Sequence, residues 1–206
     1  GGAYNTMQFG GSGIDKMSVE SRLTLTNMTT EAGAKNGIIE ADQKTIDYLQ
    51  QRGATNLNQI KSDEDANYAK IFEYEASEIE PIVAKPFSPE NITSVRDISS
   101  IELDKAYIGS CTGAKYEDLL AVAKILKGRK VKVRTEILPA AISIYKKAMK
   151  DGLLQIFIDA GAMVGPPTCG ACCGAHMGVL AKDEICISTT NRNFPGRMGH
   201  IDSQTY

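Results

Sequence analysis

Short apolar runs alternate with amphipathic stretches through the second half of the chain, and this alternation constrains the fold more than any other feature. Residues 105–110, 131–137 and 154–158 predict strands, and residues 114–126 and 139–149 predict the helices between them. A strand–helix–strand order requires parallel strands with helices on the faces of the sheet. The sequence therefore predicts an α/β fold, with parallel or mixed sheets flanked by helices, whose ligands bind outside the carboxyl ends of the strands.

The first half of the chain carries helical signals followed by a proline-rich crossing. Residues 18–34 and 41–52 predict two helices: the first begins at Ser18, which can cap, and runs toward glycine, and the second places apolar residues around a polar face and ends at Gly53. Residues 80–99 hold three prolines in a mixed polar stretch with little periodicity, which predicts a linker. We therefore expect two domains, residues 1–88 and 89–206.

Charge and hydrophobicity exclude two classes of partner. The 206 residues include 23 Lys and Arg against 25 Asp and Glu, a net charge of -2, so a broad basic surface for nucleic acid is not expected. No stretch approaches the ~20 continuous apolar residues that a membrane helix needs.

The five cysteines are odd in number and four of them crowd the last fifth of the chain, which is a poor layout for a disulfide framework. Without a secretory pattern, we expect a reducing compartment, the cytoplasm.

Cysteines and arginines follow the predicted strands. Cys111 comes directly after the first strand, and Cys169 and Cys172 form a Cys-x-x-Cys pair in a Gly- and Pro-rich turn beyond the third. A further strand is predicted over residues 185–190, and the polar loop 191–197 follows it. Because the carboxyl ends of parallel strands meet at one edge, we expect these three loops to converge on one rim.

Three thiols on one rim admit several chemistries. A single Cys-x-x-Cys pair occurs in zinc knuckles, redox dithiols and iron–sulfur sites alike. With no second such pair, and with only His176 and His200 as further imidazoles, the set suits a four-iron cubane with one open iron better than a closed tetrahedral zinc site. An open iron can act as a Lewis acid. Neither histidine receives a role, and Cys186, inside a predicted strand, is expected to be a small buried residue.

The loop after the last predicted strand adds a requirement for an anionic ligand. Arg192 and Arg197 stand among asparagines and a glycine, and guanidinium groups bind carboxylates through two parallel hydrogen bonds. The sequence therefore predicts a di- or tricarboxylic acid as the ligand. The alternative is that both arginines are simply solvated on a polar loop. A zinc or thiol-redox protein would need neither of them.

Four segments together resemble the aconitase superfamily, and most closely the large subunits of its 3-isopropylmalate dehydratase and homoaconitase group. They are IGSCTG at 108–113, PPTCGACCG at 166–174, STTNRNFPGR at 188–197 and NMTTEAGAKNGI at 27–38. The resemblance covers essentially the whole chain, and its three-cysteine pattern is highly specific. It implies aconitase-like α/β/α domains, with residues 1–88 as part of a preceding domain and residues 89–206 as the domain that carries the cysteines.

The resemblance also implies a [4Fe-4S] cluster. Its three ligands match Cys111, Cys169 and Cys172. Spacing alone would allow the adjacent Cys173 to replace Cys172, but the Cys-x-x-Cys spacing of the family favours Cys172. The family usually has asparagine where this chain has Gly113, which removes one side-chain contact without removing a ligand.

Five further positions match residues of the family's active site. Arg192 and Arg197 match binders of substrate carboxylates, and Asn191 matches an asparagine beside the cluster. Asn27 and Glu31 match helix residues near the open iron. The resemblance implies that the glutamate hydrogen-bonds the iron-bound hydroxyl or water. The spacing of four residues places Asn27 and Glu31 on one face of the predicted helix.

The implied reaction is dehydration of a hydroxy acid followed by rehydration at the neighbouring carbon, with 3-isopropylmalate, an intermediate of leucine biosynthesis, as the first candidate substrate. Homoaconitate, citramalate and citrate are alternatives within the family. The implied base is a serine on a swivelling small subunit, and no segment here resembles it, so we expect this chain to be inactive by itself. The alternative of another class is a cluster-free, aconitase-like module that binds or regulates.

Overall fold

The computed structural model describes residues 2–98 and 101–206 of a chain that forms two compact units, Gly1–Glu80 and Pro81–Tyr206. The first unit holds a pair of parallel strands and three helices. The strands are β1 (Thr6–Phe9) and β2 (Asn36–Ile39), and the helices are α1 (Ser12–Lys16), α2 (Val19–Met28) and α3 (Gln43–Gln50), followed by a 3₁₀ turn over Ala76–Glu78. Within the described residues, no helix has both the length and the apolar character needed to cross a membrane.

The two helices predicted in the first unit are present, but the first is shorter than expected. It begins after Ser18, as predicted, and ends at Met28 instead of continuing to residue 34. The amide of Glu31 donates to the Met28 carbonyl at 3.1 Å, which is a turn closed three residues back rather than four. The Thr29 hydroxyl donates to the Thr26 carbonyl at 2.7 Å and so competes for the backbone acceptors that a longer helix would use.

A buried arginine joins α2 to α3. Arg22 donates through Nη2 to Oδ2 of Asp42 at 2.7 Å, and the other carboxylate oxygen of Asp42 accepts from the Thr45 amide at 3.0 Å. Asp42 is therefore both the N-cap of α3 and the partner of Arg22. The hydrogen bond from Arg22 holds the pKa of the Asp42 carboxyl well below its usual range.

The second unit contains a five-stranded parallel sheet with helices, which confirms the predicted α/β class. An antiparallel hairpin of β3 (Ile82–Ala84) and β4 (Ile92–Ser94) precedes it. The sheet has the order β7-β6-β5-β8-β9, and its strands are β5 (Lys105–Ile108), β6 (Arg134–Ile137), β7 (Met163–Val164), β8 (Ile185–Ser188) and β9 (Gln204–Thr205). The helices are α4 (Ser110–Gly113), α5 (Tyr116–Leu126), α6 (Ile142–Lys150) and α7 (Leu153–Asp159), with a 3₁₀ turn over Gly170–Cys173.

The strand predicted over residues 154–158 is wrong, because this segment is helix α7. Leu153, Leu154 and Phe157 are all buried, and their spacing is that of one helix face packed on the core. A short apolar run does not by itself distinguish a buried strand from a buried helix. The third strand is β7, only two residues long, and it pairs with β6 after the chain leaves α7.

The hydrophobic core lies on both faces of this sheet. On one face Leu119, Ile137, Ala148 and Phe157 are fully buried beneath the helices. On the other face a second cluster lies under the loops, and it consists of Tyr107, Leu138, Ala171, Leu180, Cys186 and Met198. Burial raises the pKa of the Cys186 thiol to about 12, so this cysteine is the small buried residue that the sequence predicted.

The stretch predicted as a linker, residues 80–99, carries the β3–β4 hairpin; residue 99 lies outside the described residues. The division between the two units falls after Glu80.

The buried Asn193 side chain donates to the Lys85 carbonyl at 2.8 Å and to the Thr205 carbonyl at 3.4 Å. These bonds tie the chain beside the hairpin to the loop after β8 and to the last strand.

Candidate active site

The strand order of the second unit reverses at β5. The chain passes from β5 outward to β6 and β7 on one side, and then returns to place β8 and β9 on the other side. In an open parallel sheet, the crevice at the carboxyl ends of the two strands that flank such a reversal is the usual ligand site. The loops that follow β5 and β8 carry Cys111 and residues 191–197, so the topology places both beside this crevice.

Cys111 lies in the single helical turn α4, which begins directly after β5. Ser110 takes a φ of 76°, a backbone conformation rare for any residue other than glycine, and its hydroxyl accepts from the Thr112 amide at 3.2 Å. The buried Lys115 ammonium donates to the Thr112 carbonyl at 2.8 Å and to the Cys111 carbonyl at 3.4 Å. A sharp turn and a cation at its end thus hold the exposed Cys111 at the sheet edge.

The loops after β5 and β8 are hydrogen-bonded together through Thr189. Its hydroxyl accepts from the Gly109 amide at 3.0 Å, and its amide donates to the Tyr107 carbonyl at 3.1 Å. A Cβ atom at Gly113 would overlap with the carbonyl oxygen of Thr189. Gly113 therefore allows a close approach between these two loops.

The Cys-x-x-Cys segment forms a 3₁₀ turn. Cys169 precedes this turn and its carbonyl accepts from the Cys172 amide at 3.0 Å, while the Tyr107 hydroxyl donates to the same carbonyl at 3.0 Å. Cys172 is buried and Cys169 is exposed. Sγ of Cys173 lies 3.4 Å from the Gly170 carbonyl, within hydrogen-bonding distance of its own turn.

Charged groups from all three loops act on the Cys172 thiol. Burial raises the pKa of this thiol, Arg197 opposes the rise, and the neighbouring Cys169 and Cys111 add to it. These interactions require the four side chains to be near one another. The hydrogen bonds of Thr189 with Gly109 and of Tyr107 with Cys169 also attach the loops that the sequence predicted to converge to the carboxyl end of β5.

The side chains of the site are donors of the type that iron–sulfur clusters use. Across residues 2–98 and 101–206, no three His, Cys, Asp or Glu side chains form a group that could hold one metal ion. A cubane binds each thiolate at a different iron, so its ligands stand farther apart than those of a mononuclear zinc site. Cysteine thiols are the donors that iron–sulfur clusters use, and Cys111, Cys169 and Cys172 supply three of them in the second unit.

Arg197 has hydrogen-bonding capacity left over beside these thiols. Its Nε atom is buried and has no hydrogen-bond partner within the part of the chain that the structure describes. Asn191 and Arg192 are half-buried in the same loop, immediately after β8. A buried guanidinium nitrogen costs free energy unless an acceptor reaches it, so the site favours an anionic ligand.

Asn27 and Glu31 belong to the first unit. Asn27 is exposed in the last turn of α2, and Glu31 is half-buried in the turns that follow Met28. The prediction that both lie on one face of a single helix is wrong, because the helix ends between them. The cysteines, the arginines and Asn191 all belong to the second unit.

Sequence reasoning missed the residues that support the cysteine loop. Tyr107 and Lys105 alternate on β5 with less buried neighbours, and Lys105 forms a buried ion pair with Glu136 on β6. The alternation of this strand would have shown that both side chains share one face of the sheet. His176 and His200, which received no role, are exposed.

Comparison with known proteins agrees with this geometry. The aconitase family (aconitate hydratase) matches residues 1–100 and 93–206. The "3-isopropylmalate dehydratase large subunit 1" of Pyrococcus furiosus is 53% identical over 210 residues, and the "3-isopropylmalate dehydratase large subunit" of Clostridium kluyveri is 50% identical over 208. Each alignment covers 100% of this chain and 50% of the relative, so the chain spans about half the length of these relatives. The chain belongs to the aconitase family.

Proposed function

We propose that this chain is the cluster-carrying part of the large subunit of a hydro-lyase, 3-isopropylmalate dehydratase, acting in leucine biosynthesis. The names of the relatives support this assignment, as do about 50% identity along the whole chain and the aconitase match. The reaction would remove water from a hydroxy-polycarboxylic acid and return it at the neighbouring carbon.

Cys111, Cys169 and Cys172 are the proposed ligands of a [4Fe-4S] cluster. The observation that carries this proposal is the hydrogen bonding that attaches all three loops to the end of β5, between Thr189 and Gly109 and between Tyr107 and the Cys169 carbonyl. When bound, the cluster supplies an iron without a protein ligand that acts as a Lewis acid on the hydroxyl that leaves. The contact of the Cys173 sulfur with the Gly170 carbonyl supports Cys172, rather than Cys173, as the third ligand.

The arginine loop is proposed to hold the substrate. Arg192 and Arg197 would bind its carboxylates in bidentate fashion, with Asn191 beside the cluster cysteines at the end of β8. The unpartnered Nε of Arg197 gives one such carboxylate a donor that is already desolvated. Fixing the carboxylates orients the carbon that loses its proton and the carbon that loses its hydroxyl, which lowers the entropic cost of the reaction.

The first unit is proposed to contribute Asn27 and Glu31. Glu31 would give a proton to the hydroxyl as it leaves and take one back when water returns, and Asn27 would hydrogen-bond the same oxygen. Their matches to the family's site carry this part of the proposal. The variants Glu31→Gln and Asn27→Ala test these two roles in the complete enzyme.

A small subunit is the proposed partner, because the relatives are named large subunits. Its swivel domain would bring the serine that takes the proton from carbon, so we expect the 206-residue chain alone to lack dehydratase activity.

All five cysteines are free thiols, which supports a reducing compartment, the cytoplasm.

Anaerobic reconstitution with iron and sulfide tests the proposal. We expect the chain to take up a cubane complement of both elements, Cys172→Ala to lose most of it, and the matched variant Cys173→Ala to retain it. Uptake of zinc alone would instead support the thiol–metal alternative. A loss in Cys173→Ala with retention in Cys172→Ala would reverse the assignment of the third ligand.

A further inference from the structure

The Tyr107 hydroxyl lies directly beneath the Cys-x-x-Cys turn. Tyr107 is 1% exposed, and its hydroxyl donates to the Cys169 carbonyl at 3.0 Å. The same carbonyl accepts from the Cys172 amide at 3.0 Å, the hydrogen bond that closes the turn. One oxygen atom thus joins the turn that carries both thiols to a side chain of the central strand.

The backbone around Tyr107 comes unusually close to its ring. A Cβ atom at Gly170 would overlap with the tyrosine hydroxyl, and one at Gly109 would overlap with the ring edge. One at Gly178 would lie 3.1 Å from ring atom Cε2. Three loop glycines therefore pack on this one side chain, and two of them, Gly170 and Gly178, also have φ values of 50° and 86°, which favour glycine.

Lys105 anchors the far end of the same loop. It is two residues before Tyr107 on β5, so both side chains lie on one face of the sheet. Its buried ammonium donates to the Gly178 carbonyl and pairs with the Glu136 carboxylate on the neighbouring strand. The segment 169–178 is thus attached to β5 at both ends, by Tyr107 near Cys169 and by Lys105 near Gly178.

We infer that Tyr107 is a positioning residue for the Cys-x-x-Cys turn, and that its hydroxyl, through the Cys169 carbonyl, fixes the separation and direction of the Cys169 and Cys172 thiols. The part that concerns cluster binding rests on the proposed function. The part that concerns the turn itself does not, because the hydrogen bond joins two groups of this chain.

A purely structural role would reside in the ring, so the hydroxyl must be tested separately. Tyr107→Phe keeps the ring that the three glycines contact and removes only the hydroxyl group. Tyr116→Phe is the matched control, because Tyr116 lies in the same unit and its hydroxyl donates to Asp151, away from the cysteine turn. A general loss of stability would affect both variants and all helices of the unit, whereas loss of positioning would be confined to the turn.

The first arm measures hydrogen exchange of the metal-free chain by mass spectrometry. Removal of one hydrogen bond should speed exchange of the Cys172 and Gly174 amides by about fivefold in Tyr107→Phe. The helix α5 amides should exchange at the wild-type rate, and Tyr116→Phe should leave the turn unchanged. Unchanged exchange of the turn in Tyr107→Phe, or an equal increase across the whole unit, would overturn the inference.

The second arm uses the anaerobically reconstituted chain and follows loss of cluster absorbance after addition of an iron chelator. We expect Tyr107→Phe to lose the cluster about fivefold faster than wild type and to show altered EPR g-values, with Tyr116→Phe like wild type. Identical decay and spectra in all three proteins would contradict a role toward the cluster. If wild type binds no cluster, the proposed function fails, and the exchange arm still decides the role of Tyr107 in the turn.

Discussion

Arg197 lies close enough to Cys172 to oppose the rise in the pKa of its thiol that burial causes, although the two residues belong to different loops at the edge of the sheet. Arg197 also keeps a buried Nε without a hydrogen-bond partner among the described residues. One side chain thus joins the proposed metal ligand to the proposed carboxylate site. This relationship places the proposed cluster site and the proposed substrate site in the same small region of the second unit.

Arg197→Lys should weaken binding of 3-isopropylmalate by about 10- to 100-fold, because hydrogen bonds to charged groups contribute about 1.5–3 kcal/mol and lysine cannot reproduce the planar fork. Calorimetric titration of the reconstituted complex with its small subunit measures this change. Iron content should remain at the wild-type level. Arg134→Lys, at an exposed ion pair with Glu184, is the control and should bind normally; equal affinity of Arg197→Lys and wild type would contradict the assignment.

Gly113→Ala should lower the free energy of unfolding by about 1–3 kcal/mol, because the added methyl group would overlap with the Thr189 carbonyl and force the two loops apart. Urea denaturation followed by circular dichroism measures the change. Gly10→Ala is the matched control, since a Cβ atom there meets nothing within 4 Å. A Gly113→Ala chain as stable as Gly10→Ala would show that the loops do not depend on this close approach.

The buried pair of Lys105 and Glu136 should show strong coupling. Lys105→Met and Glu136→Gln should each cost about 3–5 kcal/mol, because each leaves an uncompensated charge or donor inside the protein. The double variant should cost less than the sum by more than about 1 kcal/mol in urea denaturation. The exposed pair of Lys147 and Asp151 serves as the reference cycle, with an expected coupling of about 0.3–0.5 kcal/mol. Additive costs at Lys105 and Glu136 would exclude a direct ion pair.

The Arg22–Asp42 pair should make the stability of the first unit depend on pH. The hydrogen bond from Arg22 lowers the pKa of Asp42, so the pair stabilises the fold above the unfolded pKa of about 3.9 and loses its effect as pH falls below it. Asp42→Asn keeps an N-cap residue and should cost about 1 kcal/mol at pH 7, a modest value because Asp42 is partly exposed.

Urea denaturation at pH 7, 4 and 2.5 tests this dependence. The difference in unfolding free energy between wild type and Asp42→Asn should shrink steadily as the pH falls below about 4. Asp65→Asn, on an exposed segment, should match wild type at every pH. A difference that stays constant with pH would mean that Asp42 acts only as a cap.

The sequence predicted the parts of the fold and site that depend on local pattern. Alternating strands and helices, the cap at Ser18, and the placement of Cys111 after a strand all follow from short-range rules. The residues that decide the geometry of the cysteine turn do not, because Tyr107 contacts Cys169 across 62 positions of sequence. Such a contact is fixed by the packing of the sheet, which no local pattern records.

The errors have physical causes of the same kind. Residues 154–158 are apolar enough for a strand or a buried helix, and packing against the core selects the helix. The end of α2 before Glu31 depends on threonine hydroxyl groups that bind backbone carbonyls, which helix propensity alone does not describe. Strands β1 and β2 are each only four residues long and pair with one another across about 30 positions of sequence, so neither gives a strong signal by itself.

EPR spectroscopy of the anaerobically reconstituted chain, before and after mild oxidation, tests the central claim most directly. With three cysteine ligands for four irons, the iron that lacks a protein ligand should leave first, and the spectrum should change to that of a three-iron cluster. That conversion, absent in Cys172→Ala, is the predicted result. A chain that binds only zinc, or a cluster that keeps all its irons under the same oxidation, would contradict the assignment of an open, catalytic iron.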